Sequence, residues 1–278
     1  MFILIYNPIS RNGNNHLVTK LSKKLINQGE TVEVVNVFHI GEIKKFLAPL
    51  KETDTIIIIG GDGTINRIAN RIYDLEIKPS IKLYQKGTGN DFARSLETKD
   101  KIIDIKKYLS NLPTVTQNGK TKHFLNGVGL GIDGYVCHLV NNQTKKKSKL
   151  NYFLSVLRAF RNYKLTNGTF VVDGETIKHD DVWLSVVMNS KYIGGGMKIA
   201  PLALRESPEL YLVVIHTLKK KILPFILPTI YSGKHVKFTK WVSIYKGSEI
   251  SIKYDSAVHF QMDGDTEFPV NQIDIKSF

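Results

Sequence analysis

One segment, Asp54–Ile72 (DTIIIIGGDGTINRIANRI), restricts what this chain can fold into more than any other. Thr55 to Ile59 is a short apolar run rich in β-branched residues and bounded by glycine. Such a run reads as a strand covered on both faces, as in a parallel sheet. Gly60-Gly61-Asp62-Gly63-Thr64 follows, and three glycines in four positions let the backbone turn sharply and approach a ligand closely. Ile65, Ile68, Ala69 and Ile72 then recur at helical spacing, which predicts a helix from about Thr64. Strand, glycine loop and helix start together direct backbone N–H groups and a positive dipole end at a phosphate. Asp62 is the odd member, because a carboxylate beside phosphate oxygens repels them unless a divalent cation intervenes, and Mg²⁺ is the usual one. A plain turn is the blander reading; an aspartate enclosed by glycines directly after a buried strand is narrower and favours the phosphate site.

The rest of the first half supplies the sheet. Phe2–Tyr6 reads as the opening strand, followed by the turn-rich loop Asn7-Pro8-Ile9-Ser10-Arg11-Asn12-Gly13-Asn14-Asn15. Leu17, Leu21 and Leu25 mark a helix that stops at Gly29, Thr31–Val37 a strand, Gly41–Leu50 a short helix, and Ser80–Gln85 another strand. Repeated β–α alternation argues for a wound parallel sheet, in which ligands bind outside the carboxyl ends of the strands. Three polar loops fall at those ends: Asn7–Asn15, Gly60–Thr64, and Lys86-Gly87-Thr88-Gly89-Asn90-Asp91-Phe92. The third could be a helix cap through Asn90 or Asp91, but paired with the glycine loop it favours a nucleotide pocket.

Alternation stops near Pro113, and from Phe124 the chain reads mostly as strands, with one notable helix. This predicts two domains, an α/β domain over 1–112 and a mainly β, sandwich-like domain over 113–278, with the boundary near 111–123, where Pro113 and Asn118-Gly119 break the pattern. Asn126–Gly134 (NGVGLGIDG) reads as a twisted strand packed closely on its neighbours. Lys145–Lys149 leads into Leu150, Phe153, Leu154, Leu157 and Phe160 at helical spacing, a basic amphipathic helix over about 145–164 that suits either the core or an anionic membrane. Ile222–Tyr231 is apolar and too short to cross a bilayer; it suits bounding a lipid-tail cleft or touching a membrane, but burial in the core is the expectation. Asp173-Gly174 and Asp263-Gly264 are hairpin signals, and Trp241–Tyr245 with Glu249–Tyr254 alternate as a hairpin would.

GGDGT, NPISRNG, GTGNDFARSL and the GGGMKIAP run at 194–201 together resemble the diacylglycerol kinase-like bacterial lipid kinases, across nearly the whole chain. NAD kinases share GGDGT but not the other motifs. The resemblance implies an α/β nucleotide-binding domain followed by a β-sandwich-like lipid-substrate domain, with the active site in the cleft between them. It implies that ATP is held by Asn7, Pro8, Ser10 and Arg11, by Gly60, Gly61, Asp62, Gly63, Thr64 and Asn66, and by Thr88, Gly89, Asn90 and Asp91. Mg²⁺ would sit at Asp62, and Asp265 would act as general base on a lipid hydroxyl. The sequence departs from the family in four places. Arg67 stands where an acidic residue is usual, and Val115-Thr116-Gln117 lacks an aspartate. Glu206-Ser207-Pro208-Glu209 lacks an aspartate–glycine pair, so the structural Mg²⁺ site that goes with it is not expected. Asp265 replaces a glutamate and is one methylene shorter, although a base must bring its oxygen within about 2.6–3.2 Å of the proton.

Composition narrows the partners. A net charge of +14 favours anionic ones, namely nucleotide phosphates, acidic lipid surfaces or nucleic acid. No nucleic-acid motif accompanies the charge, so nucleic acid is not expected as a partner, and a lipid alcohol together with peripheral contact on an anionic membrane is. Cys137 is the single cysteine, which excludes an internal disulfide and suits a reducing compartment. Phe2–Tyr6 is too short for a signal peptide. The expected location is cytoplasmic, or peripheral to the inner face of the membrane. The main reading is a phosphotransferase acting on a lipid alcohol; the alternatives are a binding homologue that has lost turnover, suggested by the four departures, and an NAD kinase.

Overall fold

The computed structural model describes residues 1–9, 15–85, 90–141 and 159–278. Ser10, Arg11, Thr88, Gly89 and most of the basic helix expected over 145–164 lie outside these. The described residues divide into two units, Met1–Leu112 and Pro113–Phe278.

The first unit is built on a five-stranded sheet of order β2-β1-β3-β4-β5, with β1 Phe2–Tyr6, β2 Val32–Asn36, β3 Thr55–Ile59, β4 Ser80–Tyr84 and β5 Ile102–Asp104. The first four strands are parallel, and β5 pairs antiparallel with β4. Ile56 to Ile59 are all buried, because successive side chains point to opposite faces and both faces are covered. Leu4, Ile57 and Ile59 pack against Leu17, Val18, Leu21 and Leu25 of helix α1 (Asn15–Ile26). Each such side chain contributes about 1.5–3 kcal/mol when fully buried. Helix α2 is Ile43–Leu47, and α3 runs Asp62–Ile72, starting two residues before the expected Thr64, with Gly61 as its N-cap. Helices α4 (Asp91–Ser95) and α5 (Lys107–Ser110) are short. Between β1 and β3 the strand order reverses direction, so the carboxyl ends of these two strands form a topological switch point.

The second unit is one nine-stranded sheet: β6 Thr114–Gln117, β7 Lys120–His123, β8 Gly127–Gly131, β9 Thr166–Val172, β10 Glu175–Met188, β11 Leu210–His216, β12 Val242–Gly247, β13 Glu249–Met262 and β14 Asp265–Lys276. The long strands β10 and β13 are each paired to both β8 and β9, so the path β8–β10–β9–β13–β8 returns on itself. Val128, Leu130, Phe170, Val187, Leu212, Ile252 and Ile273 fill the space this folding creates. On the outer face, helix α6 (Ile132–Asn141), residues 159–162 and helix α7 (Leu223–Ser232) meet Trp183, Val186, Val213 and Ile215 in a second apolar cluster. The close-packed reading of the NGVGLGIDG run is borne out: a Cβ on Gly129 would lie 2.6 Å from the Ser185 backbone oxygen, and one on Gly131 2.6 Å from that of Trp183.

Three local expectations are corrected. Asn118-Gly119 is a hairpin turn joining β6 and β7, with both residues at positive φ, rather than a break between domains. The Trp241–Tyr245 and Glu249–Tyr254 runs do not pair with each other: β12 pairs with β11, and β13 with β14, β9 and β8. Between them, the Asp173 carboxylate accepts the N–H groups of Ser248 at 2.9 Å and Glu249 at 2.8 Å. Ile222–Tyr231 is buried on one side only; Leu223, Ile226 and Ile230 enter the core while Phe225 is 77% exposed.

Candidate active site

In the first unit the loops after β1, β3 and β4 are joined by hydrogen bonds. Asn7 leaves β1 and its amide donates to Thr64 Oγ1 at 3.2 Å, while its own Oδ1 accepts from the Ile9 N–H at 2.9 Å. Thr64 lies in the first turn of α3, so this contact clasps the first loop to the glycine loop. Gly60 is required there: a Cβ would sit 2.5 Å from Thr64 Oγ1. At Gly61 and Gly63, by contrast, a Cβ would meet nothing within 4 Å among the described residues.

Asp62 connects the glycine loop to the loop after β4. Its Oδ2 accepts the Asp91 N–H at 3.0 Å and its Oδ1 the Phe92 N–H at 2.8 Å. These are N–H groups of the first turn of α4, which no intrahelical carbonyl can satisfy. The Asn90 Oδ1 accepts the Ala93 N–H at 2.9 Å as the helix cap, and its amide donates to the Gly60 oxygen at 3.5 Å. Thus Asn90 is both a cap and a brace of the glycine loop. Asp91 is 3% exposed and faces Arg94 at 3.9 Å. Asn66 Oδ1 accepts from the Asn70 amide at 3.0 Å. The guanidinium of Arg67 stacks over the Phe38 ring at 5.1 Å, which accounts for the residue on an exposed helix face. Pro8 lies half-buried in the turn after Asn7.

In the second unit Asp265 is exposed and opens β14, paired with Met262 across the turn. The turn residues Asp263 and Gly264 have φ of 47° and 98°, as a two-residue hairpin requires. In the sequence Asp263 reads only as a turn residue. Its carboxylate in fact accepts three backbone N–H groups from the start of β8: Leu125 at 2.6 Å, Asn126 at 2.8 Å and Gly127 at 3.3 Å. Around it, the buried guanidinium of Arg205 donates to the Leu125 carbonyl and, at 2.6 Å, to Asn126 Oδ1, and the Asn189 amide donates to the same carbonyl at 3.1 Å. This buried network holds the hairpin that presents Asp265. The sequence marks none of Arg205, Asn126 and Asn189 as part of this network: Asn126 reads there only as the start of a close-packed strand, and Arg205 only as a charged residue four positions beyond the GGGMKIAP run.

A parallel α/β sheet with polar loops at its switch point is thus followed by a β-rich second half. Residues 1–121 match the diacylglycerol kinase catalytic domain, and residues 126–273 match the YegS C-terminal NAD kinase beta sandwich-like domain. The chain belongs to the diacylglycerol kinase-like lipid kinase family. Among similar proteins, "Putative lipid kinase YtlR" of Bacillus subtilis (strain 168) is 29% identical over 231 residues, covering 76% of this chain and 73% of its own. A diacylglycerol kinase of Mycobacterium tuberculosis (strain ATCC 25618 / H37Rv) is 25% identical over 232 residues, 80% of this chain and 74% of its own. A solved structure named as a putative diacylglycerol kinase from Bacillus anthracis str. Sterne shares the fold, with a TM-score of 0.70 over 99% of this chain and 92% of that one, at 24% identity.

Proposed function

We propose that this protein is an ATP- and Mg²⁺-dependent lipid kinase that transfers the γ-phosphoryl group to the hydroxyl of a lipid alcohol such as diacylglycerol. The observation that carries the reading is the union of three loops at the switch point through Asn7, Thr64, Asp62 and Asn90. In that reading the phosphates rest on the first turn of α3, from Gly60 to Asn66. Asn7 to Arg11 and Thr88 to Asp91 close the two sides.

The donors suit Mg²⁺, a hard cation that prefers carboxylate oxygen and keeps several waters. Asp62 would hold it through its carboxylate, the donor type this cation prefers. When bound, the cation neutralises charge on the transferring phosphoryl group. Asp265 takes the proton of the attacking hydroxyl, and the buried network behind Asp263 keeps its backbone in one place. In an assay with purified protein, Mg-ATP and diacylglycerol in mixed micelles, labelled phosphate appears in the lipid. Asp62→Ala and Asp265→Ala each lower the rate by about 10²–10⁴-fold, and Asp265→Glu retains most of it. No lipid product from any of a panel of lipid alcohols, with ATP binding intact, overturns the proposal. That outcome would support the second reading, a homologue without turnover, for which the engagement of both Asp62 oxygens by α4 is the favouring observation.

A further inference from the structure

Helix α7 is unlike an ordinary surface helix. From Leu223 to Ser232 it contains no charged residue, although helices that face water on one side normally place charges there. Its inner side is satisfied by Leu223, Ile226 and Ile230, which are 2–4% exposed. Its outer side presents Phe225 at 77% and Tyr231 at 54% exposure, with Pro228 also exposed. The loop packed on its C-terminal end, through the Lys198 N–H donated to the Ile230 oxygen, adds Leu202 at 71% and Leu204 at 59%.

The flanks are basic. From Leu210 to Ser248 the chain has seven lysines and no aspartate or glutamate. Lys246 is engaged with Glu209, and the Lys220 ammonium donates to the Arg161 carbonyl. Lys219 and Lys221 before the helix, and Lys234, Lys237 and Lys240 after it, are exposed. Aromatic residues lie among them: Lys240 sits over the Trp241 ring at 5.8 Å, and Phe238 is 6.3 Å from that ring. Exposed apolar side chains between lysine clusters, with Trp and Tyr at the boundary, match a headgroup region, which offers anionic phosphates above an apolar layer. No helix among the described residues is long and apolar enough to cross a membrane.

We propose that α7 and its lysine flanks are a docking surface for an anionic phospholipid bilayer. Phe225 enters the boundary between headgroups and acyl chains, and Lys219, Lys221, Lys234, Lys237 and Lys240 meet lipid phosphates. The inference deepens the proposed function, since a lipid substrate is reached at a bilayer, and it rests on that reading for its purpose alone. Vesicle binding needs no turnover, so the two can fail separately.

The test is sedimentation of the full chain with phosphatidylcholine vesicles, with and without phosphatidylglycerol. The protein binds the anionic vesicles, and added salt weakens the binding. Each neutralised lysine costs about fivefold in affinity, so Lys219→Gln/Lys221→Gln and Lys234→Gln/Lys237→Gln each lose about 25-fold, and Phe225→Ser loses at least severalfold. Lys20→Gln/Lys24→Gln on α1, the same charge change elsewhere, loses less than fivefold. Trp241 is half-buried on this surface while Trp183 is 1% exposed, so a blue shift in fluorescence on adding anionic vesicles reports Trp241. Thermal melting checks that each variant is folded. Absence of vesicle binding, target variants that bind like the α1 control, or retention of duplex nucleic acid by these lysines without vesicle binding would each overturn the inference. Intact vesicle binding without lipid phosphorylation would sink the proposed function and leave this surface standing.

Discussion

At the scale of single residues, two aspartates two positions apart have separate duties. Asp265 is exposed and touches chemistry in the proposed reading, whereas the Asp263 carboxylate takes three backbone N–H groups at the entrance to β8. Hydrogen bonds to a charged group contribute about 1.5–3 kcal/mol each, and buried N–H groups left without partners add a desolvation cost. Asp263→Ala therefore lowers the unfolding free energy by about 3 kcal/mol or more in urea titration and lowers transfer as well, through the displaced hairpin. Asp265→Ala lowers transfer by about 10²–10⁴-fold yet shifts stability by no more than about 0.5 kcal/mol, as exposed positions do. Equal stability losses in the two variants would refute this division. Only the turn signal of Asp263-Gly264 was legible beforehand, because φ preference is local while its three acceptor bonds join residues 136–138 positions apart.

At the scale of elements, the agreement between pattern and structure follows from how far the deciding interaction reaches. β3 and α3 were legible because period and burial coincide: an apolar run covered on both faces, then Ile65, Ile68, Ala69 and Ile72 along one side of a helix. β12 was misassigned because its alternation suits any antiparallel neighbour. β12 lies on β11 over six paired residues, while the chain between β12 and β13 is held by Asp173, at a turn more than seventy residues earlier. β8 shows how a glycine-rich run can be structural. Gly129→Ala places a Cβ 2.6 Å from the Ser185 backbone oxygen, which no rotamer can relieve. The strand must separate from β10, at a cost of about 3 kcal/mol, seen as a lower melting temperature with α/β signals of the first unit retained. A melting temperature equal to that of the parent would contradict the close packing.

At the scale of the whole molecule, buried titratable groups set the response to acid. Burial lowers the His216 imidazole to about 4, with neighbouring His179 adding to it, and burial lowers His259 to about 4, with His138 adding. Burial also lowers His179 and His235. The unfolded chain takes up protons on these groups near 6.5, above the folded values, so their contribution is complete above pH 6.5 and is lost as pH falls towards 4. Burial pushes the Asp133 carboxyl the other way, from 3.8 to about 6. Its contribution is complete below 3.8 and is lost as pH rises through 6. Four imidazoles outweigh one carboxyl, and added positive charge on a chain already at +14 acts in the same direction. The urea midpoint is thus lower at pH 4.5 than at pH 7, and Asp133→Asn steepens the acid loss, at about the slope linkage gives. A midpoint that rises on acidification would mean that Asp133 outweighs the imidazoles.

The amino-acid order alone determined the alternation of strands and helices up to Pro113, the strand-rich half after it, the glycine loop at Gly60–Thr64 and the Asp-Gly turns. Each of these is written within a few residues, as periodicity, φ preference or side-chain size. Folding decided what those pieces became. It brought Asn7 to Thr64 and Asp62 to the first turn of α4, set Arg205 and Asp263 around Asn126, and left Phe225 facing outward from an apolar run. Such contacts depend on which surfaces the sheets bring together, and a hydrogen bond between residues dozens of positions apart leaves no periodic trace in the chain.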